Sequence, residues 1–304
     1  MRPAFSVVFL TTLIGAAQGL FLALFAGSFA ADVSAPFLVR GSIVVVALAA
    51  GGLVASFFHL GRPERAWRTA AMWRTSWLSR EVIALPAFMA LAAAYGWMHA
   101  RGGAGAMGVG IAAVLATLAL FVCTAMIYAS IRFFQEWASP FTLANFVLMG
   151  CASGLTLAAA LASRGAPGLV PPYADCAIAL TLLALVVRLA SLSRNARIVP
   201  RSTTQSAIGA RTPQVQQKSR GFTGGSFNTR EFFHGVGPGG MRAIRWLFLL
   251  LAFAVPVLLL VGGRASPALL AAAFVIQYTG LLAERWYFLA DARHPQNLYY
   301  QSVS

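Results

Sequence analysis

The chain has 304 residues, of which 59% are hydrophobic and only 10% are charged. A soluble domain carries about 25% charged residues, so this composition leaves too little polar surface for a water-soluble globule. The formal net charge of +15 does not indicate a nucleic-acid binder either. The basic residues stand between long apolar blocks instead of on one face of a polar domain.

The apolar blocks are about twenty residues long, the length that a helix needs to cross a hydrocarbon core of roughly 30 Å. The first block is too long for a cleaved signal peptide and lacks a strongly basic start, so we interpret it as a span. Small residues inside the blocks, such as Gly15, Gly19, Gly150 and Gly154, favour close helix packing. The pattern predicts an all-α polytopic bundle formed by one domain over residues 1–304. Eight spans are predicted, at Phe5–Ala31, Pro36–His59, Leu78–Met98, Met107–Ala129, Thr142–Ala162, Ala174–Leu192, Ile244–Gly262 and Pro267–Leu289.

An even number of spans places both termini on the same side as the connections after spans two, four and six. That side carries 19 of the 23 Lys and Arg residues and a net charge of +13, against +2 on the other side. Lys and Arg residues that flank spans stay in the cytoplasm. We therefore predict a multi-pass protein of the bacterial inner membrane with both termini in the cytoplasm. Five tryptophans at this boundary suit the headgroup layer, namely Trp67, Trp73, Trp77, Trp137 and Trp246.

One cytoplasmic connection, at about residues 193–243, is much longer than the others and contains many Thr, Ser, Gln, Gly and Arg residues. A loop of this length is either a flexible basic tether or a surface that orders against a cytoplasmic partner. Its later half contains four phenylalanines, for which a simple linker has little use. We therefore predict a partner-docking surface formed by Phe222, Phe227, Phe232 and Phe233.

The connection between spans two and three places titratable residues at the membrane boundary. A short helix is predicted there, in which Glu64 pairs with Arg68 at i+4, and Ser79 is predicted to cap span three. His59 and Glu81 then bracket one patch beside apolar walls. A quinone exchanges two protons in each two-electron turnover and needs donors for its oxygens, so this patch fits a quinone site with Glu81 as the proton-exchanging group. The alternatives are an interfacial capping histidine and a first-turn acid favoured by the helix dipole.

Other ionisable residues lie within or beside the predicted spans. Glu284 and Arg285 in span eight are expected to pair with a neighbouring helix, with a proton path as the alternative. Arg188 in span six is expected to snorkel towards water. The four histidines do not stand at one depth on facing helices, as a haem b would require, and the three cysteines are far apart with no CxxC pair. The sequence therefore predicts no haem, no iron–sulfur cluster and no metal site. Any electrons must come from a partner, and the chain is not expected to be catalytic alone.

The HLGRPERA motif that begins at His59 and the LSRE motif that ends at Glu81 resemble the pattern of the DmsC family. These proteins are membrane-anchor subunits of molybdopterin oxidoreductases such as dimethyl sulfoxide reductase. The resemblance extends over the whole chain and includes the LAERWYF segment of span eight. It implies an anchor that exchanges electrons between ubiquinone or menaquinone and a four-cluster ferredoxin-like iron–sulfur subunit, which links it to a molybdopterin catalytic subunit. The family's quinone-site residues correspond to His59, Arg65 and Glu81.

Two features differ from the family members whose motif faces the periplasm. The charge bias places the motif in the cytoplasm, and the connection between spans six and seven is longer. Both features resemble the cytoplasm-facing branch, which includes sulfite-oxidising (SoeC-like) anchors, and they favour electron flow from sulfite into quinone. The alternatives are an anchor that oxidises quinol for a reductase similar to dimethyl sulfoxide reductase, a transporter, and a purely structural anchor. We find no convincing internal repeat of the kind that transporters show.

Overall fold

The computed structural model describes residues 1–30, 33–212, 214–216, 218 and 231–299. Within these residues the protein is helical and has no strand, and eight helices are long and apolar enough to cross a membrane. The predicted all-α, eight-span architecture is therefore confirmed. The helices are α1 (Phe5–Gly27), α2 (Ala35–Phe57), α3 (Trp77–Ala100), α4 (Ala106–Ala129), α5 (Pro140–Gly165), α6 (Val170–Ala196), α7 (Pro238–Gly262) and α8 (Pro267–Asp291).

The largest boundary difference concerns α7, which begins at Pro238, six residues before the predicted start at Ile244. Proline suits the first helical position because its missing N–H has no intrahelical partner there. The first turns of α7 contain Gly239, Gly240 and the charged Arg242, which lie before the predicted start although they continue the helix.

The centre of the bundle is formed by α1 and α5, the two most buried spans. The backbones of α1 and α5 are in direct contact at glycine residues. A Cβ atom added to Gly154 would lie 2.1 Å from the backbone nitrogen of Leu20, and one added to Gly19 would lie 2.2 Å from the carbonyl oxygen of Gly150. Only glycine permits this approach, which supports the predicted role of small residues in the packing.

Helix α7 contains one π-helical segment, at Leu250–Ala254. Pro256 follows it and cannot donate a backbone hydrogen bond to the preceding turn, which accounts for the local change in helical pitch. Gly280 of α8 packs directly against this segment, since a Cβ atom there would lie 2.2 Å from the backbone nitrogen of Ala252.

The alternating direction of the spans places the termini and the connections after α2, α4 and α6 at one end of the bundle, called here the motif face. Hydrogen bonds join several of these segments. Arg194 donates to the carbonyl of Gln135 (3.0 Å), and Asn297 donates to the carbonyl of Phe232 (3.1 Å). The other end, called the opposite face, carries the connections after α1, α3, α5 and α7.

Trp137 on the motif face is buried, although the sequence predicts that it contacts the headgroup layer. Its indole Nε1 donates a hydrogen bond to the carbonyl of Phe288 (2.9 Å), and its ring packs against Tyr128. An indole with a partner for its N–H can be buried within the protein, so the prediction for this residue is wrong. Trp67, Trp73 and Trp246 are exposed, as expected for tryptophans that contact the headgroup layer.

Candidate functional site

The position of Glu81 follows from how α3 begins. Ser76, not Ser79 as predicted, is the N-cap, because its hydroxyl accepts a hydrogen bond from the backbone N–H of Ser79 (3.3 Å). A serine oxygen satisfies one of the amide groups that a helix start leaves unpaired. Glu81 is therefore the fifth residue of α3, about 6 Å along the axis from Trp77, and lies just inside the span.

Glu81 points into the bundle, where only 6% of its surface is exposed. The hydroxyl of Thr124 on α4 donates a hydrogen bond of 2.5 Å to its Oε1 atom, while Oε2 accepts none from the described residues. Tyr128, one turn further along α4, lies within electrostatic range of Glu81. One carboxylate oxygen is thus held by the protein, and the other is available to a ligand or a proton donor.

Sequence reasoning missed Thr124. A usable signal exists, because Thr124 lies five residues before the end of α4 on the side where α3 begins. A hydroxyl and a carboxylate at one depth on consecutive antiparallel helices are candidates for a hydrogen bond.

His59 and Arg65 lie outside the bundle, on the connection between α2 and α3. His59 follows the end of α2 and is exposed. Partial burial nevertheless lowers the pKa of its imidazole below the usual value, so that the neutral form dominates at pH 7. The side chain of Arg65 is 51% exposed. No hydrogen bond or ion pair joins His59, Arg65 and Glu81 to one another within the described residues.

The predicted short helix after His59 forms as a 3₁₀ helix, Pro63–Met72, and not as an α-helix. Three residues per turn remove the i+4 neighbour that the predicted pair required. Glu64 accordingly lies 3.9 Å from Arg65, and the predicted pair with Arg68 is wrong. No residue of this helix is buried.

Aromatic and basic side chains cover the surface around this helix. The exposed Trp67 and Trp73 each carry a neighbouring guanidinium, that of Arg68 or Arg74, at 5.4 Å from the ring centre. Arg80 donates to the carbonyls of Trp73 (2.9 Å) and Arg74 (2.8 Å) and thereby joins the connection to α3. The surface of the connection that leads into α3 is therefore cationic and partly apolar.

A second buried ionic group lies deeper in the bundle, between α6 and α8. Arg188 approaches Glu284 at 2.9 Å, and Arg285 lies 3.9 Å from the other oxygen of the same carboxylate. All three side chains are at most 5% exposed, so Arg188 does not snorkel as predicted. The predicted pairing of Glu284 with a neighbouring helix is confirmed. The guanidinium of Arg285 also stacks on Phe146, 3.6 Å from its ring centre.

Two of the four predicted docking phenylalanines belong to the described part of the chain. Phe222 and Phe227 lie outside the described residues. Phe232 stacks on His294 with a ring distance of 3.8 Å and an angle of 8°, so it packs against the segment that follows α8. Phe233 is half-buried.

Comparison with known proteins agrees with this architecture. Residues 1–300 match the family described as DMSO reductase anchor subunit (DmsC). The chain belongs to the DmsC family. It is also similar to one of the sulfite dehydrogenase subunits of Allochromatium vinosum, with 52% identity over 328 residues and coverage of 100% of both chains. This DmsC-family chain is therefore a membrane anchor, and the resemblance inferred from the two motifs is confirmed.

Proposed function

We propose that this chain is the quinone-reactive anchor of a three-subunit molybdopterin oxidoreductase and that it passes electrons from cytoplasmic sulfite oxidation into the quinone pool. The family match supports the anchor role, and the similarity to a sulfite dehydrogenase subunit supports sulfite as the electron source. The partners in this proposal are a four-cluster ferredoxin-like iron–sulfur subunit and a molybdopterin catalytic subunit.

The observation that carries the proposal is the state of Glu81. Its Oε1 atom accepts a hydrogen bond from Thr124, and its Oε2 atom has no partner among the described residues. The exposed His59 and Arg65 lie on the connection that leads into α3. Apolar side chains of Phe57, Phe58 and Leu78 are exposed at the same boundary. A ligand with an apolar ring and two polar oxygens fits such a mixture of groups.

A bound quinone supplies two-electron chemistry that consumes or releases two protons. In this proposal Glu81 exchanges one of those protons through Oε2, while the Thr124 hydroxyl holds the carboxylate in place. Burial lowers the pKa of His59 and so favours its neutral imidazole, which can either donate or accept a hydrogen bond. Arg65 is a fixed cation that would donate a hydrogen bond to a quinone oxygen.

The electron donor would dock on the motif face in this scheme. The exposed arginines and tryptophans around Pro63–Met72 offer a surface of the composition that interfaces favour. The Phe-containing part of the long connection remains a second proposed contact. We place both proposed contact surfaces in the cytoplasm because 19 of the 23 basic residues belong to this side.

The test replaces Glu81 by Gln in the complete complex and compares it with Glu64→Gln. Glu64 lies on the connection that precedes α3 and is 67% exposed, so it is a control for the loss of one carboxylate outside the bundle. Loss of a general acid–base group costs about 10²–10⁴-fold in rate, and we expect Glu81→Gln to slow quinone-linked turnover within that range. Turnover with an artificial acceptor that takes electrons directly from the soluble subunits should stay near wild type.

Two other outcomes would decide between the remaining functions. Full quinone-linked activity in Glu81→Gln would make this residue a structural acid and remove the proposed site. A complex that oxidises quinol rapidly but does not reduce quinone in the presence of sulfite would instead indicate an anchor of a reductase.

A further inference from the structure

A groove of about 320 Å³ opens on the lipid-facing side of the bundle near the opposite face. It lies between α2, α5 and α8, on the other side of the membrane from the proposed quinone site. Its walls are almost entirely apolar. They include Phe37, Gly41, Leu157, Leu161, Ala271 and Phe274.

Two arginines, Arg40 and Arg164, line the same groove at its outer end. Arg164 is the penultimate residue of α5. Arg40 lies five residues inside α2, but its Nε atom donates to the carbonyl of Pro36 (3.1 Å), so the side chain turns back towards the membrane boundary. A Cβ atom added to Gly165 would lie 3.2 Å from the Nη2 atom of Arg40, and the guanidinium therefore packs against the end of α5, at the residue that follows Arg164.

These two cations differ from the others on the opposite face. Arg264 pairs with Asp175 at 2.5 Å, and Arg101 stacks on Trp97 at 4.8 Å. Within the described residues, neither Arg40 nor Arg164 pairs with a carboxylate. Asp32, the other acid on this face, lies outside the described residues.

We propose that this groove binds one anionic phospholipid, with its phosphate between Arg40 and Arg164 and an acyl chain along the apolar walls. Two arginines that line one groove complement a phosphate, to which arginine donates paired hydrogen bonds. A quinone head offers no negative charge to these groups, and a zwitterionic lipid adds a cation that they repel. The inference does not depend on the proposed quinone chemistry.

The experiment extracts the complete complex into detergent, adds phosphatidylglycerol and phosphatidylcholine in competition, and counts retained lipids by native mass spectrometry. Wild type should retain one phosphatidylglycerol for each anchor in preference to phosphatidylcholine. Arg40→Gln/Arg164→Gln should lower that preference by about 25-fold, since each basic residue near an anionic surface contributes about fivefold. Arg101→Gln, which removes a cation of the same face outside the groove, should leave it unchanged.

A second pair of variants tests the apolar walls. Ala271 is exposed and lines the groove, whereas Ala268, one turn away on α8, is exposed and does not line it. Ala271→Phe should fill the groove and reduce retention of the lipid, and Ala268→Phe should not. Equal retention of both lipids by wild type, unchanged preference in the double arginine variant, or displacement of the lipid by added quinone would overturn the proposal.

Discussion

At the scale of single residues, burial divides the ionisable groups of the bundle into two kinds. Glu81 is buried with a single neutral partner, Thr124, and one open oxygen. Glu284 is buried between two cations, Arg188 and Arg285. A carboxylate held by two guanidinium groups is committed to structure, whereas a carboxylate with an open oxygen can exchange a proton. Glu81 belongs to the proposed site, and Glu284 belongs to the packing of α6 against α8.

The buried ionic group predicts which of two substitutions destabilises the protein more. Glu284→Gln leaves two buried cations without an anion, and breaking a buried ion pair in this way costs about 3–5 kcal/mol. Arg188→Met leaves Glu284 with Arg285 and places an apolar side chain against Phe248 and Tyr287, on which Arg188 now lies. Arg188→Met should therefore lower the free energy of unfolding by clearly less than Glu284→Gln does. Thermal unfolding of the two purified variants gives the comparison, and a Glu284→Gln protein as stable as Arg188→Met would show that the carboxylate does not neutralise the pair.

The sequence predicted Glu81 as a site residue but not its partner. Residue type and position relative to an apolar block identify a carboxylate at the membrane boundary. They do not define which face of α3 meets α4, so Thr124 was missed. Arg188 shows the same limit, because snorkelling and pairing with Glu284 differ only in how α6 is rotated towards α8.

At the scale of helices, the number of spans could be predicted and several of their ends could not. Apolar length determines that a segment crosses the membrane. Its ends depend on caps and on charged turns that continue the helix, as at Ser76 and at Pro238. The 3₁₀ geometry of Pro63–Met72 was also missed, since the sequence pattern there suits either kind of short helix.

The contact between Phe232 and His294 is predicted to depend on pH. Burial lowers the pKa of His294 below its usual value, which is about 6.5, so the folded segment binds a proton more weakly than the unfolded one. The contact is therefore most stable above about pH 6.5 and loses stability as the pH falls through the lowered pKa. Hydrogen exchange of residues 231–237 should quicken in acid, beyond the change in the intrinsic exchange rate.

His294→Phe keeps an aromatic ring against Phe232 and removes the titrating group. Its hydrogen exchange should depend less on pH than that of wild type. His234, whose pKa is also lowered by burial, is present in both proteins and serves as an internal reference. An identical pH dependence in the variant and in wild type would exclude His294 as the cause.

At the scale of the whole molecule, the two faces differ in charge and in the chemistry they offer. The motif face carries Glu81, the exposed arginines and the tryptophans, and the opposite face carries the groove with Arg40 and Arg164. Glycine contacts between α1 and α5 hold the bundle that separates them. The asymmetry of charge was visible in the sequence. The groove was not, because it depends on the packing of α2, α5 and α8, which are distant in the chain.

The orientation can be tested with reporter fusions. The charge bias predicts that alkaline phosphatase fused after the last residue stays in the cytoplasm and is inactive, whereas a fluorescent protein at that position is bright. Phosphatase fused after Gly103, in the short connection between α3 and α4, should be active because that connection belongs to the opposite face. The reverse pattern would place the motif in the periplasm.

The central claim, that this anchor links sulfite oxidation to quinone, is tested most directly in proteoliposomes that contain the complete complex and quinone. The measurement follows quinone absorbance after sulfite is added, alongside the soluble subunits without the anchor. We predict that the complete complex converts one quinone to quinol for each sulfite consumed, and that the soluble subunits reduce only an artificial acceptor. Sulfite oxidation at the full rate with the artificial acceptor, while the quinone in the complete complex stays oxidised, would contradict the account.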